Sequence, residues 1–179
     1  MKRLKHRKIW AAALSLSLLA VSCGGGGGSS ASSAQSQSVS SQAEETPLDG
    51  GALLDEIYQD LELMGILELD ETVMADLLNI PEEYYDQFWG RYSMARFNIG
   101  EVFIIQPSDL EGADQVIQER LEEYRQSRMD TFENYNVAGD YERARDALLY
   151  QRGGYVILLM LEDNSAAQAL IEERIPEEL

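Results

Sequence analysis

The 179-residue chain has one cysteine, Cys23, and one histidine, His6, and its three lysines are Lys2, Lys5 and Lys8. All five lie in the first 23 residues. Beyond Cys23 no His, Lys or Cys occurs, so that part of the chain cannot form a Ser-His-Asp triad, a Cys-His pair, a Ser-Lys dyad, a Schiff base or a His/Cys zinc site. A lone cysteine also excludes an intrachain disulfide. What remains is carboxylate acid/base chemistry, carboxylate-bound Ca or Mg, and arginine-held anions. No segment has the Asp-x-Asp-x-Asp-Gly spacing of a calcium loop, and no glycine-rich loop follows a strand as a phosphate cradle requires. The adjacent pairs Glu82-Glu83, Glu122-Glu123 and Glu172-Glu173 point about 100° apart on a helix and read as solvated surface rather than acid/base pairs. No cofactor, metal site or catalytic residue is expected, and the chain does not read as an enzyme.

What is present begins with an address. Lys2, Arg3, Lys5, Arg7 and Lys8 form a basic start, and IWAAALSLSLLAV follows as a 13-residue apolar run. That run is shorter than the roughly 20 residues of a membrane span. Leu19-Ala20-Val21-Ser22-Cys23 resembles the lipobox of bacterial lipoprotein precursors, with Ala20 where leucine is usual. The resemblance implies a signal peptide over residues 1–22 and a diacylglycerol on Cys23, making the chain a lipoprotein anchored in the cell membrane at its extracytoplasmic face. A cysteine before five glycines is poorly placed for any structural use, whereas two acyl chains supply the two-signal anchoring that one chain cannot. Residues 23–47 are mostly Gly, Ser, Ala and Gln and bury too little apolar surface to offset the entropy of ordering. They read as a flexible linker with a reach of about 25–30 Å.

Removing residues 1–22 leaves 9 arginines as the only cations against 32 Asp and Glu, a formal charge of −23. Nucleic acid and anionic headgroups are repelled by such a surface, so no nucleic-acid partner is expected and a cationic protein or peptide suits it best.

Residues 48–179 carry the periodicities of one α+β domain. Leu53, Leu54, Ile57, Leu61 and Met64 recur at helical spacing up to Gly65. Asp70-Glu71-Thr72 caps a short helix through Leu78 that Pro81 stops. Gln87 to Phe97 alternates as a strand interrupted at Gly90, Asn98-Ile99-Gly100 is a turn, and Glu101 to Ile105 is a second strand. Ser108-Asp109-Leu110-Glu111 has the form of a capping box for a long helix with Ala113, Val116, Ile117, Leu121, Tyr124, Met129 and Phe132 inward. A short helix from Tyr141 to Ala147 leads to strands at 148–150 and 155–161 around Arg152-Gly153-Gly154. The second of these is apolar on both faces, which places it centrally or under helices. Asn164 or Ser165 caps a last helix with Ala167, Leu170 and Ile171. Paired strands and segregated helices predict a mainly antiparallel sheet of about four strands with helices packed on one face.

Leu78-Asn79-Ile80, the strand pair, Phe132-Glu133-Asn134-Tyr135 and Gly153-Gly154-Tyr155-Val156 resemble an uncharacterised family of lipoproteins from clostridia-type Gram-positive bacteria, over Leu53 to Ile175. That resemblance implies no activity and no catalytic residue. The expectation is a non-catalytic module binding a protein or peptide through a sheet face or edge strand. The alternative is a carboxylate-based cell-wall hydrolase or small-solute-binding lipoprotein, with Trp89, Tyr92 and Tyr155, or Phe88 with Trp89 and Tyr92, as an aromatic platform.

Overall fold

The computed structural model describes residues 47–95, 97–134, 137 and 139–177. The signal segment 1–22, His6, Cys23 with its acylation, the linker as far as residue 46, and Tyr135 lie outside the described residues. Helix α1 (Gly50–Tyr58) starts where the Asp49 carboxylate accepts from Ala52 N at 3.0 Å. It ends earlier than the apolar spacing suggests: Leu61 still packs on the core from a turn, while Met64 is exposed. Strand β1 (Ile66–Glu68) follows, three residues that carry no periodic signature. Helix α2 (Glu71–Asp76) is capped by Asp70, which accepts from Val73 N at 2.8 Å, and a single 3-10 turn (Glu82–Tyr84) opens at Pro81.

Strands β2 (Tyr85–Ser93) and β3 (Glu101–Pro107) then form a hairpin whose register pairs Trp89 with Ile104 and Gly90 with Phe103. Gly90 does not interrupt β2. A Cβ there would lie 2.8 Å from Phe103 Cδ1 and from Val102 O, so glycine lets the two strands and their core side chains close up. Helix α3 (Ala113–Glu133) starts at Gly112, which adopts a left-handed conformation at φ +78. Ser108 is therefore not its cap. The Ser108 hydroxyl donates instead to Glu83 O at 2.6 Å and joins the far end of β3 to the 3-10 turn.

Helix α4 (Asp140–Arg145), strand β4 (Leu148–Arg152), strand β5 (Tyr155–Met160) and helix α5 (Asn164–Arg174) complete the chain. Gly153 and Gly154 both have positive φ, +51 and +75, the two-residue type I′ geometry that matches strand twist. The α5 cap is Asp163 rather than the expected Asn164 or Ser165, and it accepts from Ser165 N and Ala166 N.

The sheet is antiparallel throughout, with order β1-β2-β3-β5-β4. The α+β antiparallel class is as the sequence predicts, with one strand more than the four expected. The layering differs from the expectation. Phe103, Ile105, Val156, Leu158 and Met160 face α2, α3 and α4, whereas Val102, Ile104, Ile157 and Leu159 face α1 and α5. Helices thus cover both faces, because β3 and β5 are apolar at successive positions and each face of such a strand must be removed from water. Each fully buried Ile or Leu contributes about 1.5–3 kcal/mol to that driving force.

A clamped loop and its apolar groove

With both sheet faces filled, the aromatic residues singled out in the sequence are divided between them. Trp89 lies on the α1/α5 side, its ring 6.1 Å from that of Tyr155 and packed so closely over Gly50 that a Cβ there would fall 2.3 Å from Trp89 Cγ. Tyr92 belongs to the opposite core, and Phe88 packs against that core too. Neither the Trp89–Tyr92–Tyr155 set nor the Phe88–Trp89–Tyr92 set forms one platform, because successive residues of a strand project to opposite faces. The acidic pairs are likewise separate from one another: Glu122 is bound by Arg125 and Glu123 by Arg120, and Glu82-Glu83 and Glu172-Glu173 are exposed. An open cleft of about 470 Å³ does bring Glu71, Glu82 and Asp86 near Tyr85 and Phe88, whose rings meet edge-on at 5.2 Å. All three carboxylates are exposed to water. A glycosidic general acid sits instead in apolar surroundings.

The most constrained polar chemistry surrounds the β2–β3 loop, residues 94–100. Glu101, the first residue of β3, is fully buried and pairs with the Arg128 guanidinium of α3. Arg128 also donates to Ser93 O at 2.8 Å and to Tyr124 Oη at 3.1 Å, while Ser93 N donates to Glu101. Its guanidinium lies over the Tyr124 and Phe132 rings, 5.5 and 5.8 Å from their centroids. Burial pulls the Arg128 pKa down, but the adjacent Glu101 carboxylate more than reverses this and holds it above the ordinary arginine value. Burial, and then the same carboxylate, push the Tyr124 and Tyr58 phenols well above their usual range. Tyr58 supports the loop from the other side of the sheet by donating to Gly100 O at 3.0 Å.

A second buried carboxylate holds the far end of the loop. Asp140, at the start of α4, accepts from Asn98 N at 2.8 Å and Ile99 N at 3.0 Å. Arg143 completes this cluster at 2.9 Å from Asp140 and also donates to Asn98 Oδ1. Asn98 sits at φ +55, a left-handed conformation that asparagine tolerates and that these bonds hold in place. Charge-assisted hydrogen bonds of this kind are short and directional, and they leave the backbone at Ser93, Asn98 and Ile99 little freedom.

The clamped segment displays apolar side chains. Met94 is 68% exposed, Phe97 49% and, beyond the end of α3, Val137 52%. With Ala95, Thr131, Phe132 and the edge of Arg128 they line a groove of about 550 Å³. Scattered exposed apolar residues are ordinary, whereas here several converge on one concavity. Sequence reasoning missed this groove because its residues come from a turn and a helix end, where no periodicity operates. The available signal was the pair Met94 and Phe97 in a segment where polar residues are usual. Arg128 went unnoticed because an arginine on an acidic helix reads as solvated.

Among the described residues, no group of three or more His, Cys, Asp or Glu is placed to hold a metal ion. None of the described helices is long and apolar enough to cross a membrane. The family model described as "Domain of unknown function (DUF4358)" matches residues 59–161. This segment holds all five strands, both clamps and the groove, and leaves outside it α1 and α5, the helices of the second face. No curated protein and no solved structure matches the chain.

Proposed function

Taking as premise that the chain belongs to the DUF4358 family of domains of unknown function, we propose that it is a lipid-anchored extracytoplasmic lipoprotein of a Gram-positive cell envelope. In this reading residues 1–22 are removed, Cys23 carries a diacylglycerol in the cell membrane, and residues 23–47 tether a non-catalytic module that binds a protein or peptide. The observation that carries it is the groove: Met94, Phe97 and Val137 are exposed while the backbone that presents Met94 and Phe97 is fixed by two buried carboxylates. Holding an apolar surface in one geometry lowers the ordering cost of association, which is the reason to invest buried charge beside it.

Charge selects the partner. Seven of the eight described arginines, at 91, 120, 125, 128, 143, 145 and 174, are already ion-paired. Carboxylates far outnumber them, so the surplus charge on the surface is negative. A partner with an apolar anchor for the groove and basic residues around it answers both features.

Photo-crosslinkers at positions 97 and 169 in intact cells test this reading. One protein captured from position 97 and not from 169, with binding to the purified chain that weakens steeply from low to physiological salt, is the expected result. Capture from both positions alike would remove the groove as the site, and an affinity indifferent to salt would remove the cationic partner. Loss of lipid labelling in Cys23→Ala tests the anchor separately, and a labelled variant refutes it. The hydrolase or solute-binding reading rests on the exposed cleft of Glu71, Glu82 and Asp86 alone. Absence of turnover and of solute binding in the native chain would end that reading, and either one retained after all three are changed to Gln or Asn would remove this cleft as its site.

A further inference from the structure

Among the described residues strand β4 forms one edge of the sheet, with β5 beside it and no strand beyond, and the chain's C-terminal segment meets the backbone of this edge only past the strand's end, where Gly153 N donates to Glu177 O at 3.3 Å. Its register opens with Arg152 opposite Tyr155 across the two-residue Gly153-Gly154 turn. In that geometry Arg152–Tyr155 is a hydrogen-bonded pair, and so are Tyr150–Ile157 and Leu148–Leu159 in alternation. The N–H and C=O groups of Leu149 and Gln151 therefore point away from the sheet. Natural edges are usually blunted by lysine, proline or a bulge. The β4 sequence Leu-Leu-Tyr-Gln-Arg has neither lysine nor proline, and the one irregularity in the sheet's register lies in β2.

The charge around this edge is net negative. Asp114 of α3 accepts from the Gln151 side chain at 3.1 Å, Asp146 lies just before the strand, and Glu172 of α5 stands on the other face. Of the two nearby cations, Arg145 is bound to Asp146 and the two charges cancel, whereas Arg152 donates to the main-chain oxygens of Ile175 and Glu172 and keeps its charge. A second copy of this chain would bring the same acids to the same edge.

We propose that β4 accepts an extended basic peptide as a sixth strand, paired through the outward backbone groups of Leu149 and Gln151 and drawn by Asp114 and Glu172. Strand addition takes its affinity from main-chain hydrogen bonds, and the surrounding carboxylates supply the preference for arginine or lysine on the added strand. The site is at the side of the sheet and is independent of the groove beside Phe97.

The test uses the full chain in neutral maltoside micelles and the acetylated, amidated peptide Arg-Val-Arg-Val-Arg-Val. At saturation, amide exchange at Leu149 and Gln151 is expected to slow by about tenfold or more while other edge amides stay unchanged. The Glu-Val counterpart, and Arg-Val peptides N-methylated at either the arginines or the valines, separate charge from backbone pairing. The acidic peptide and one of the two methylated peptides should fail to bind. Gln151→Pro removes an outward donor without touching the β5 ladder and should weaken binding by about tenfold, whereas Gln151→Ala should change it by less than roughly twofold. If Gln151→Pro does not fold, the methylated peptides decide the matter. No slowing at these two amides, equal binding of both methylated peptides, or a loss in Gln151→Ala equal to that in Gln151→Pro would overturn the proposal. So would a peptide-free dimer that Gln151→Pro converts to monomer, since the edge would then be taken by a second copy. Phe97→Ser leaves this binding intact, so failure here and failure of the groove are separable.

Discussion

The two ends of the sheet are closed by different means. At the end where β3 begins, the connecting loop is tied down by Glu101 with Arg128 and by Asp140 with Arg143, and both carboxylates are fully buried. At the end where β3 finishes, a Gly-Gly turn closes the β4–β5 hairpin. There Ser108 donates to Glu83 O and Arg152 to Ile175 O, and among the described residues no buried carboxylate takes part. Burying charge is costly and is rarely the most stabilising choice. A turn that only has to reverse the chain needs glycine, as at residues 153 and 154. A loop that must hold Met94 and Phe97 in water without collapsing onto the core needs directional bonds from outside itself.

Breaking that contrast at its strongest point means removing one partner of a buried pair. Glu101→Ala leaves Arg128 unpaired beside Tyr124 and Phe132 and is expected to cost about 3–5 kcal/mol in urea unfolding, with faster amide exchange through residues 94–100. The hairpin end is expected to be less sensitive. Gly153→Ala places a Cβ 2.5 Å from Ile175 Cγ2 and Pro176 O at φ +51, which predicts a loss of about 1–3 kcal/mol without any change in loop exchange. A result in which the glycine variant loosens residues 94–100 would mean the two ends are not independent.

Alkali sharpens the comparison further. Beyond Cys23 there is no His, Lys or Cys to titrate near neutrality, so stability is expected to hold level from about pH 7 to 9. The Tyr58 and Tyr124 phenols are held above their usual value of 10.0 by burial and by Glu101, and burial raises Tyr150 to about 12. A phenol whose pKa is higher in the folded chain contributes its full stability below pH 10, and that stability is lost as pH climbs through the folded value. Unfolding measured against pH should therefore set in above pH 10. Two of these three phenols bear on the Glu101 clamp, so loop exchange should rise before the hairpin loosens. The smallest effect is expected at Tyr150 itself, whose buried hydroxyl has no hydrogen-bond partner. Tyr150→Phe should shift stability by no more than about 0.5 kcal/mol, in the stabilising direction.

Much of the fold was legible in particular residues. The run from Tyr155 to Met160 announced a strand covered on both sides, and it lies between β3 and β4 with all six residues buried. Followed to its consequence, the same run would have required helices on both faces. Strand β1 was not legible, because three residues cannot show a period. Nor was the start of α3: Ser108 to Glu111 has the letters of a capping box, but the serine hydroxyl has a stronger use on Glu83 O, and the helix waits for Gly112. The groove residues are apolar in segments without regular spacing, and only the folded chain brings Met94, Ala95 and Phe97 against Arg128, Thr131, Phe132 and Val137.

By itself, then, the sequence determined which residue types are absent beyond Cys23, the acidic balance of that part of the chain, the antiparallel α+β class and most element positions, because composition and periodicity are local quantities. Tertiary structure decided which carboxylates became buried clamps, which arginines were tied into ion pairs, which strand became the open edge and where apolar side chains converged in water. Those outcomes depend on distances between residues some 30 to 45 positions apart, such as Arg128 and Ser93 or Asp140 and Asn98, whose separations of 35 and 42 carry no pattern along the chain.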